Sequence, residues 1–260
     1  MRWLRYQGAN GIRYGILEGE MVAEIDTTPF EAWQRTGATA QLDAVKTVVP
    51  VIPGTFYAIG LNYAAHATKF AALQGLKIPT RPQPGYRANS ALIAHGEDIV
   101  IPAESDGIQY EGELVAVIGK TARYVAEADA LSIVLGYTIG NDVSERAWQK
   151  IDNGLWRAKN CDTFKPMGPW IETEVDLPSL MTRVRINGEQ RLEFRTNEMI
   201  FSLEQHIAEM TKYITLHPGD VIWMGTEGSN ADLKAGDVCE IELDQIGTLR
   251  NPVVAERRKE

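Results

Sequence analysis

The stretch Tyr110-Glu-Gly-Glu-Leu-Val-Ala-Val-Ile-Gly119 predicts a buried β-strand that begins with two carboxylates. Its apolar run, residues 114–118, has the length and the β-branched content of a strand. Glu111 and Glu113 lie two residues apart, so both side chains project from the same face. Like charges beside a buried strand repel each other and lose hydration unless a cation compensates them. The pattern fits a cation site or, equally, an exposed strand end with solvated glutamates.

Further short apolar runs on both sides of this stretch predict a largely β domain. Each run is bounded by Gly, Asp or Pro, which are typical of strand ends. Two helical patterns interrupt them, at residues 143–151 and 202–213, and the second has Ser202 as N-cap with Gln205 three residues later. The predicted strands are residues 99–101, 114–118, 133–139, 184–186, 221–224 and 238–243.

Composition divides the chain into a small N-terminal unit and a main domain. Residues 1–52 predict a small β-rich domain with a polar, helix-like segment at about residues 31–46. Pro50, Pro53 and Gly54 then precede a buried apolar run, which places the main domain at residues 53–260. A chain of 260 residues can bury a substantial core, so we expect one main domain with an appendage.

Charge and cysteine content restrict the partners and the compartment. The formal net charge of -9 disfavours nucleic acid, because phosphate binding needs a basic surface. The chain contains two cysteines, Cys161 and Cys239, without metal-binding spacing, which indicates reduced thiols in a cytoplasm. No run of eighteen apolar residues and no signal peptide is present, so we expect no membrane association.

Asp142 ends a second predicted strand and provides a third carboxylate. An Asp before a predicted helix is either an N-cap or an oxygen ligand, and the two roles are compatible. Three carboxylates without His or Cys partners favour a hard cation, Mg²⁺ or Mn²⁺, over zinc.

Other segments contain groups suited to acid–base chemistry or anion binding. His66 follows a predicted buried strand and is either a general base or an ordinary hydrogen-bonded histidine. Lys159 and Lys165 lie in a charged, breaker-rich segment that is either an anion site or a salt-bridged turn. Gly225 flanks a turn where backbone N–H groups can approach an anion. Residues 71–90, which include Lys77, predict a mobile basic loop near a site or a solvated connection.

Taken together, these motifs resemble the fumarylacetoacetate hydrolase family over residues 56–254. No single motif is specific, whereas their combined order and spacing are. The residues that carry the resemblance are Gly60 to Tyr63 with His66, Tyr110 to Glu113, Gly136 to Ser144, Lys159 with Asp162, Pro166 and Gly168-Pro169, Met199 to Ser202, Leu216 to Ile222, and Gly225-Thr226.

The resemblance implies a mixed β-rich α+β fold, a β-sandwich roll, in a homodimer. It implies Mg²⁺ or Mn²⁺ bound by Glu111, Glu113 and Asp142, with His66 and Lys159 as catalytic residues. The substrate-binding residues implied in the same way are Asn62, Tyr63, Arg146, Gln149, Gly225 and Thr226.

Two positions depart from the family pattern. Many hydrolytic members carry Glu three residues after the histidine, where this chain has Lys69, and Ala147 stands where Asp is common. A lysine cannot accept the imidazole proton or stabilise an imidazolium as a carboxylate does. We therefore assign Glu227 as the substitute catalytic carboxylate, on the hypothesis that it reaches His66.

The expected function is metal-dependent C–C bond hydrolysis of an acylpyruvate-type 2-oxo acid. Decarboxylation of a 2-oxo acid such as oxaloacetate, or isomerisation in aromatic catabolism, is the alternative that Lys69 favours. A protein that binds metal and 2-oxo acid without turnover is a third hypothesis.

Overall fold

The computed structural model describes residues 1–9, 11–65, 67–68 and 77–257. The described α-helix α1 is Leu203–Thr211, and short 3-10 helices span Leu42–Ala44, Asn89–Ala91, Glu127–Ile133, Trp148–Lys150, Asn153–Leu155 and Leu177–Ser179. The strands are β1 (Arg2–Gly8), β2 (Gly11–Glu18), β3 (Met21–Ile25), β4 (Arg35–Gln41), β5 (Lys46–Thr47), β6 (Phe56–Ile59), β7 (Pro84–Tyr86), β8 (Leu92–Ile93), β9 (Ile99–Ile101), β10 (Ile108–Gln109), β11 (Gly112–Ile118), β12 (Val134–Asn141), β13 (Ser144–Glu145), β14 (Lys165–Glu172), β15 (Met181–Ile186), β16 (Glu189–Arg195), β17 (Val221–Trp223), β18 (Asp232–Leu233), β19 (Val238–Leu243) and β20 (Gly247–Ala255).

Two sheets pack face to face around the main apolar core. The larger sheet has the order β4-β3-β2-β1-β14-β12-β11-β17-β6-β7, and the second has the order β16-β15-β19-β20-β9. Apolar side chains from both sheets meet in one cluster, as in a β-sandwich. The structure therefore confirms the β-rich sandwich fold that the sequence predicts.

The central strand β11 is buried on both faces. Its even-numbered side chains join the core between the sheets, and its odd-numbered ones join a second apolar cluster on the opposite face. Gly112 faces the second sheet, where a Cβ would lie 3.0 Å from Ile241 Cγ2. Because side chains alternate along a strand, Glu111 and Glu113 point away from that sheet.

The N-terminal strands continue the larger sheet. Strand β1 pairs with β14 through Arg2 opposite Glu172 and Trp3 opposite Ile171. Strands β2, β3 and β4 then extend the sheet outward from β1. Whether residues 1–52 fold as a separate domain stays a prediction.

The strand predictions were more accurate than the helix predictions. The runs at 99–101 and 238–243 coincide with β9 and β19. The helix predicted at 143–151 is wrong, because residues 144–145 form β13, paired with β10, and a 3-10 turn follows. The helix-like segment at 31–46 is also wrong, because β4 there pairs with β3.

The helix predicted at 202–213 is confirmed as α1, with Ser202 as N-cap. The Ser202 hydroxyl accepts from the backbone N–H of Gln205, and the Gln205 side chain accepts from the backbone N–H of Ser202. This capping box satisfies two N–H groups that the first turn leaves without helical partners. None of the helices in the described ranges has the length and apolar character needed to cross a membrane.

Candidate active site

Three buried carboxylates converge at the end of the β11–β12 pair. Gly112 is paired with Asn141, so Glu111 and Glu113 lie next to the residue that follows β12, Asp142. One carboxylate oxygen from each of the three lies within 4.8 Å of the others. The backbone N–H of Asp142 donates to the Glu111 carbonyl at 2.9 Å, which fixes this register locally. The structure thus brings together the three residues that the sequence assigns to a metal.

Asp142 is held by three cationic side chains. Arg87 donates to both of its oxygens, at 3.0 and 2.8 Å, and Lys159 and Lys165 donate at 2.7 and 2.8 Å. Burial alone would raise the pKa of Asp142, but Arg87 and then the two lysines outweigh it and hold the pKa well below its usual value. The N-cap role is wrong, since the next helical turn has Ala147 as its N-cap.

Glu111 is also neutralised by cations. Arg146 Nη2 lies 2.6 Å from one Glu111 oxygen, and Lys159 Nζ forms a short hydrogen bond to the other. The Arg146 guanidinium donates in addition to Gln109, Gln149 and Ser229, at 2.8, 2.9 and 3.1 Å. It therefore joins a metal-ligand candidate to three neighbouring segments, and its predicted role as a substrate-binding residue stays a prediction.

Glu113 has a different environment from the other two carboxylates. It accepts a hydrogen bond of 2.9 Å from the backbone N–H of Gly225. Burial, followed by repulsion from Asp142 and Glu111, raises the pKa of Glu113 well above its usual value. A divalent cation would relieve this repulsion, since it compensates all three carboxylates at once.

Lys165 is a structural partner of Asp142 and has no N–H left for a ligand. Its ammonium group donates to the carbonyls of Val143 and Phe164, both at 2.9 Å, and to Asp142 at 2.8 Å. Complete burial lowers the pKa of Lys165 to about 8, against the opposing effect of Asp142. Of the two lysines proposed for anion binding, Lys159 is the one that faces a cavity.

A cavity of about 570 Å³ opens next to the carboxylates. The predicted site residues in its lining are Glu111, Glu113, Asp142, Gln149, Lys159, Gly225 and Thr226. Gly225 has φ of +83°, and a Cβ there would lie 3.1 Å from the Ile59 carbonyl, so glycine is required at this turn. The turn brings Thr226 and the backbone into the cavity wall.

Asn62 and Tyr63 have backbone partners in other segments, and their predicted role in substrate binding stays a prediction. The Asn62 amide donates to the carbonyls of Phe201 and Met224, and its oxygen accepts from the N–H of Phe201. Tyr63 donates to the Thr196 carbonyl at 2.6 Å. Both residues are buried and absent from the described cavity lining.

The proposed water-activating group is only partly described. His66 and Lys69 lie outside the described residues. Glu227 is half-buried and absent from the described cavity lining; burial and then Glu198 raise its pKa. The pairing of Glu227 with His66 therefore stays a prediction.

Sequence reasoning missed the role of Arg87, which it placed in a basic loop of unspecified function. In the structure Arg87 directly follows β7, and its side chain is buried against Asp142. The sequence did contain an electrostatic signal for this role. Three carboxylates in apolar surroundings require compensating cations, and basic residues at strand ends near the site are the candidates.

The donor set fits a hard divalent cation. Three buried carboxylates offer oxygen ligands of the kind that Mg²⁺ and Mn²⁺ prefer, and no thiol or imidazole accompanies them among the described residues. The neighbouring cavity leaves room for substrate oxygens or water to complete the coordination.

Comparison with known proteins identifies the family. Residues 55–254 match the family described as Fumarylacetoacetate (FAA) hydrolase C-terminal, and residues 1–50 match Rv2993c-like, N-terminal. The first match covers more than half of the chain. The protein therefore belongs to the fumarylacetoacetate hydrolase family, as its sequence motifs predict, and is an enzyme of that family.

Related proteins in this family carry several activities. A 2,4-didehydro-3-deoxy-L-rhamnonate hydrolase of Sphingomonas is 42% identical over 77% of this chain and 73% of its own length. A mitochondrial oxaloacetate tautomerase of Xenopus laevis is 38% identical over 78% of this chain and 66% of its own length. A 4-hydroxyphenylacetate degradation bifunctional isomerase/decarboxylase of Salmonella dublin is 38% identical over 78% of this chain and 47% of its own length.

Solved structures show the same fold. A 5-carboxymethyl-2-hydroxymuconate delta-isomerase from Mycobacterium smegmatis has a TM-score of 0.89, at 36% identity and with 98% of this chain and 100% of that chain covered. A maleylpyruvate hydrolase from Sphingobium, in complex with manganese(II) and pyruvate, has a TM-score of 0.81 at 27% identity. The match covers 99% of this chain and 100% of that chain.

Proposed function

We propose that this enzyme uses Mg²⁺ or Mn²⁺ to hydrolyse a C–C bond in a small acylpyruvate-type 2-oxo acid. The observation that carries the proposal is the buried triad of Glu111, Glu113 and Asp142 beside Lys159 at one cavity. One metal-bound relative of this fold supports it, since the Sphingobium hydrolase structure holds manganese and pyruvate.

The residues of the site suit an electrostatic mechanism. When bound, a divalent cation supplies Lewis-acid polarisation of the 2-oxo group. Lys159 would donate a charge-assisted hydrogen bond to the oxygen that becomes negative as the C–C bond breaks. Gln149 and Thr226, which line the cavity, would orient the substrate carboxylate. For hydrolysis, His66 would deprotonate a water that attacks the second carbonyl.

Decarboxylation or isomerisation is the second candidate. Lys69 stands where the family resemblance implies Glu in many hydrolytic members, and Glu227 does not contribute to the described cavity lining. Loss of a substrate carboxylate as carbon dioxide leaves an enolate without any attack by water. Such a reaction needs neither a glutamate at position 69 nor Glu227 to activate water. These two observations favour a reaction that requires no water-activating base.

A turnover screen with purified protein tests the metal and the reaction. Acetylpyruvate, oxaloacetate and an unsaturated 2-oxo diacid are each assayed with Mg²⁺ or Mn²⁺ and with a chelator. We expect Glu113→Ala and the chelator to abolish turnover, and Glu174→Ala, an exposed carboxylate, to retain it. Activity that survives both Glu113→Ala and chelation contradicts the metal. Tight oxalate binding without turnover of any substrate supports a binding protein instead.

We propose further that the enzyme is a cytoplasmic homodimer. Both cysteines are free thiols, as expected in a reducing compartment. The dimer rests on the family resemblance, and light scattering coupled to size-exclusion chromatography would measure it directly.

A further inference from the structure

Two leucines with an unusual backbone conformation line the cavity. Leu61 has φ of 56° and Leu155 has φ of 57°, in the left-handed region that glycine normally occupies. Both contribute to the cavity wall beside the carboxylates. Left-handed bulky residues persist only where their surroundings enforce them, and they concentrate at functional sites.

Polar contacts fix the backbone next to Leu61 and at Leu155. The residue after Leu61 is Asn62, whose side chain is fixed to the backbone of two other segments at 3.0 to 3.1 Å. The Leu155 carbonyl accepts from the backbone N–H of Lys159 at 3.1 Å and from the Asn160 side chain at 3.0 Å. The backbone is therefore fixed next to Leu61 and at Leu155, and Leu155 is coupled to the segment that carries Lys159.

The cavity lining contains both an ionic and an apolar group of residues. The ionic group consists of the three buried carboxylates with Lys159 and Arg87, and the exposed Lys77 lies at the same lining. The apolar group is Leu61 and Leu155 together with Ile59, Pro79 and Pro84. A 2-oxo acid head matches the first group, and the second group would cover the remainder of the substrate.

The described cations of the cavity lining are either paired with other groups or exposed to solvent, so they would bind a second substrate carboxylate only weakly. Arg87 is committed to both oxygens of Asp142 and to the Tyr86 carbonyl, and Lys159 contacts Glu111 and Asp142. The remaining described cation of the lining, Lys77, is exposed to solvent, where its charge is screened.

We infer that Leu61 and Leu155 are specificity-determining residues that select 2-oxo acids with an uncharged, apolar tail over dicarboxylates of equal length. This inference rests on the proposed function and adds the chemistry of the substrate tail. Each tail methylene that reaches the leucines leaves water, which strengthens binding by about two- to fourfold.

Binding of matched ligands tests the inference independently of turnover. The probes are pyruvate, 2-oxohexanoate and 2-oxoadipate, the last two equal in chain length and different in the distal group. Their dissociation constants are measured by calorimetry with the Mn²⁺-loaded full-length protein. We expect 2-oxohexanoate to bind at least about tenfold more tightly than either pyruvate or 2-oxoadipate.

Variants assign the preference to the two leucines. Leu61→Ala and Leu155→Ala should each reduce the ratio of 2-oxohexanoate to pyruvate affinity by about three- to tenfold. Leu131→Ala, an exposed leucine outside the lining, should preserve it. Circular dichroism checks that each variant is folded, and Leu155→Gly, which relaxes the backbone, should lower the ratio in the same way.

The possible results separate the two proposals. If 2-oxoadipate binds more tightly than 2-oxohexanoate and Lys77→Met abolishes this difference, the inference is overturned in favour of a distal carboxylate site. Equal affinity for all three probes also overturns it, while the proposed function stands. If no 2-oxo acid binds, the proposed function itself fails.

Discussion

Replacing Lys165 by Met tests whether the cations around Asp142 stabilise the fold. Lys165 is completely buried and has three acceptors, of which the Asp142 carboxylate is the charged one. Methionine fills a similar volume without charge, so the variant removes the ion pair and leaves the packing largely intact. The expected result is a large loss of stability without a change of fold.

The magnitude follows from the contacts that are lost. An ion pair at 2.8 Å has a gross Coulomb attraction of about 6 kcal/mol at an effective dielectric constant of about 20. The desolvation of both ions offsets much of this attraction, and Arg87 and Lys159 still compensate Asp142 afterwards. The Val143 carbonyl loses its Lys165 donor, which costs about 1–3 kcal/mol. We therefore expect a net loss of about 3 kcal/mol in the free energy of unfolding.

Urea unfolding followed by circular dichroism measures this loss. With a slope of about 3 kcal/mol per molar urea, the midpoint should fall by about 1 M. Lys212→Met, which removes an exposed ion pair with Glu209, should leave the midpoint unchanged. A Lys165→Met midpoint within error of the wild type would refute the view that this buried ion pair stabilises the protein.

Three further predictions concern packing, capping and thiol reactivity. Gly140→Ala should lower stability by about 1–3 kcal/mol in the same urea assay, because the new Cβ would lie 2.6 Å from the Trp223 ring; Gly60→Ala, with open space around its Cβ, serves as the control. Ser202→Ala should cost about 0.5–2 kcal/mol by removing the N-cap, and a calorimetric melting temperature equal to that of the wild type would contradict this. Burial raises the pKa of Cys239 to about 12, so iodoacetamide at neutral pH should modify it only in urea, as mass spectrometry would show.

The strands and the acidic triad could be predicted from the sequence because both depend on local patterns. Apolar β-branched runs between breakers identify buried strands, and Glu111 and Glu113 share a face by simple alternation. Asp142 could be added because it ends the next strand along the chain. In the structure β11 and β12 are neighbours, which completes the triad.

The residues around the triad depend on contacts that local patterns do not contain. Arg87 reaches Asp142 across 55 positions of sequence, from a segment whose prolines and glycine resemble a surface loop. The helix predicted at residues 143–151 fails for a similar reason, because residues 144–145 pair with β10. In addition, the Glu145 carboxylate accepts from the backbone N–H of Trp148 at 2.6 Å and holds the chain in a tight turn. Tertiary pairing outweighs helical periodicity here.

The junction between β1 and β14 has a practical consequence for any shortened version of the protein. Strand β14 begins at Lys165, beside the carboxylates, and ends at Glu172, where β1 covers its backbone. Removing residues 1–52 would leave the far end of β14 as an open sheet edge, with Ile171 and its neighbours accessible to other chains. Such a truncation would promote aggregation through the same strand that supports the active site. Activity and solubility should therefore be lost together.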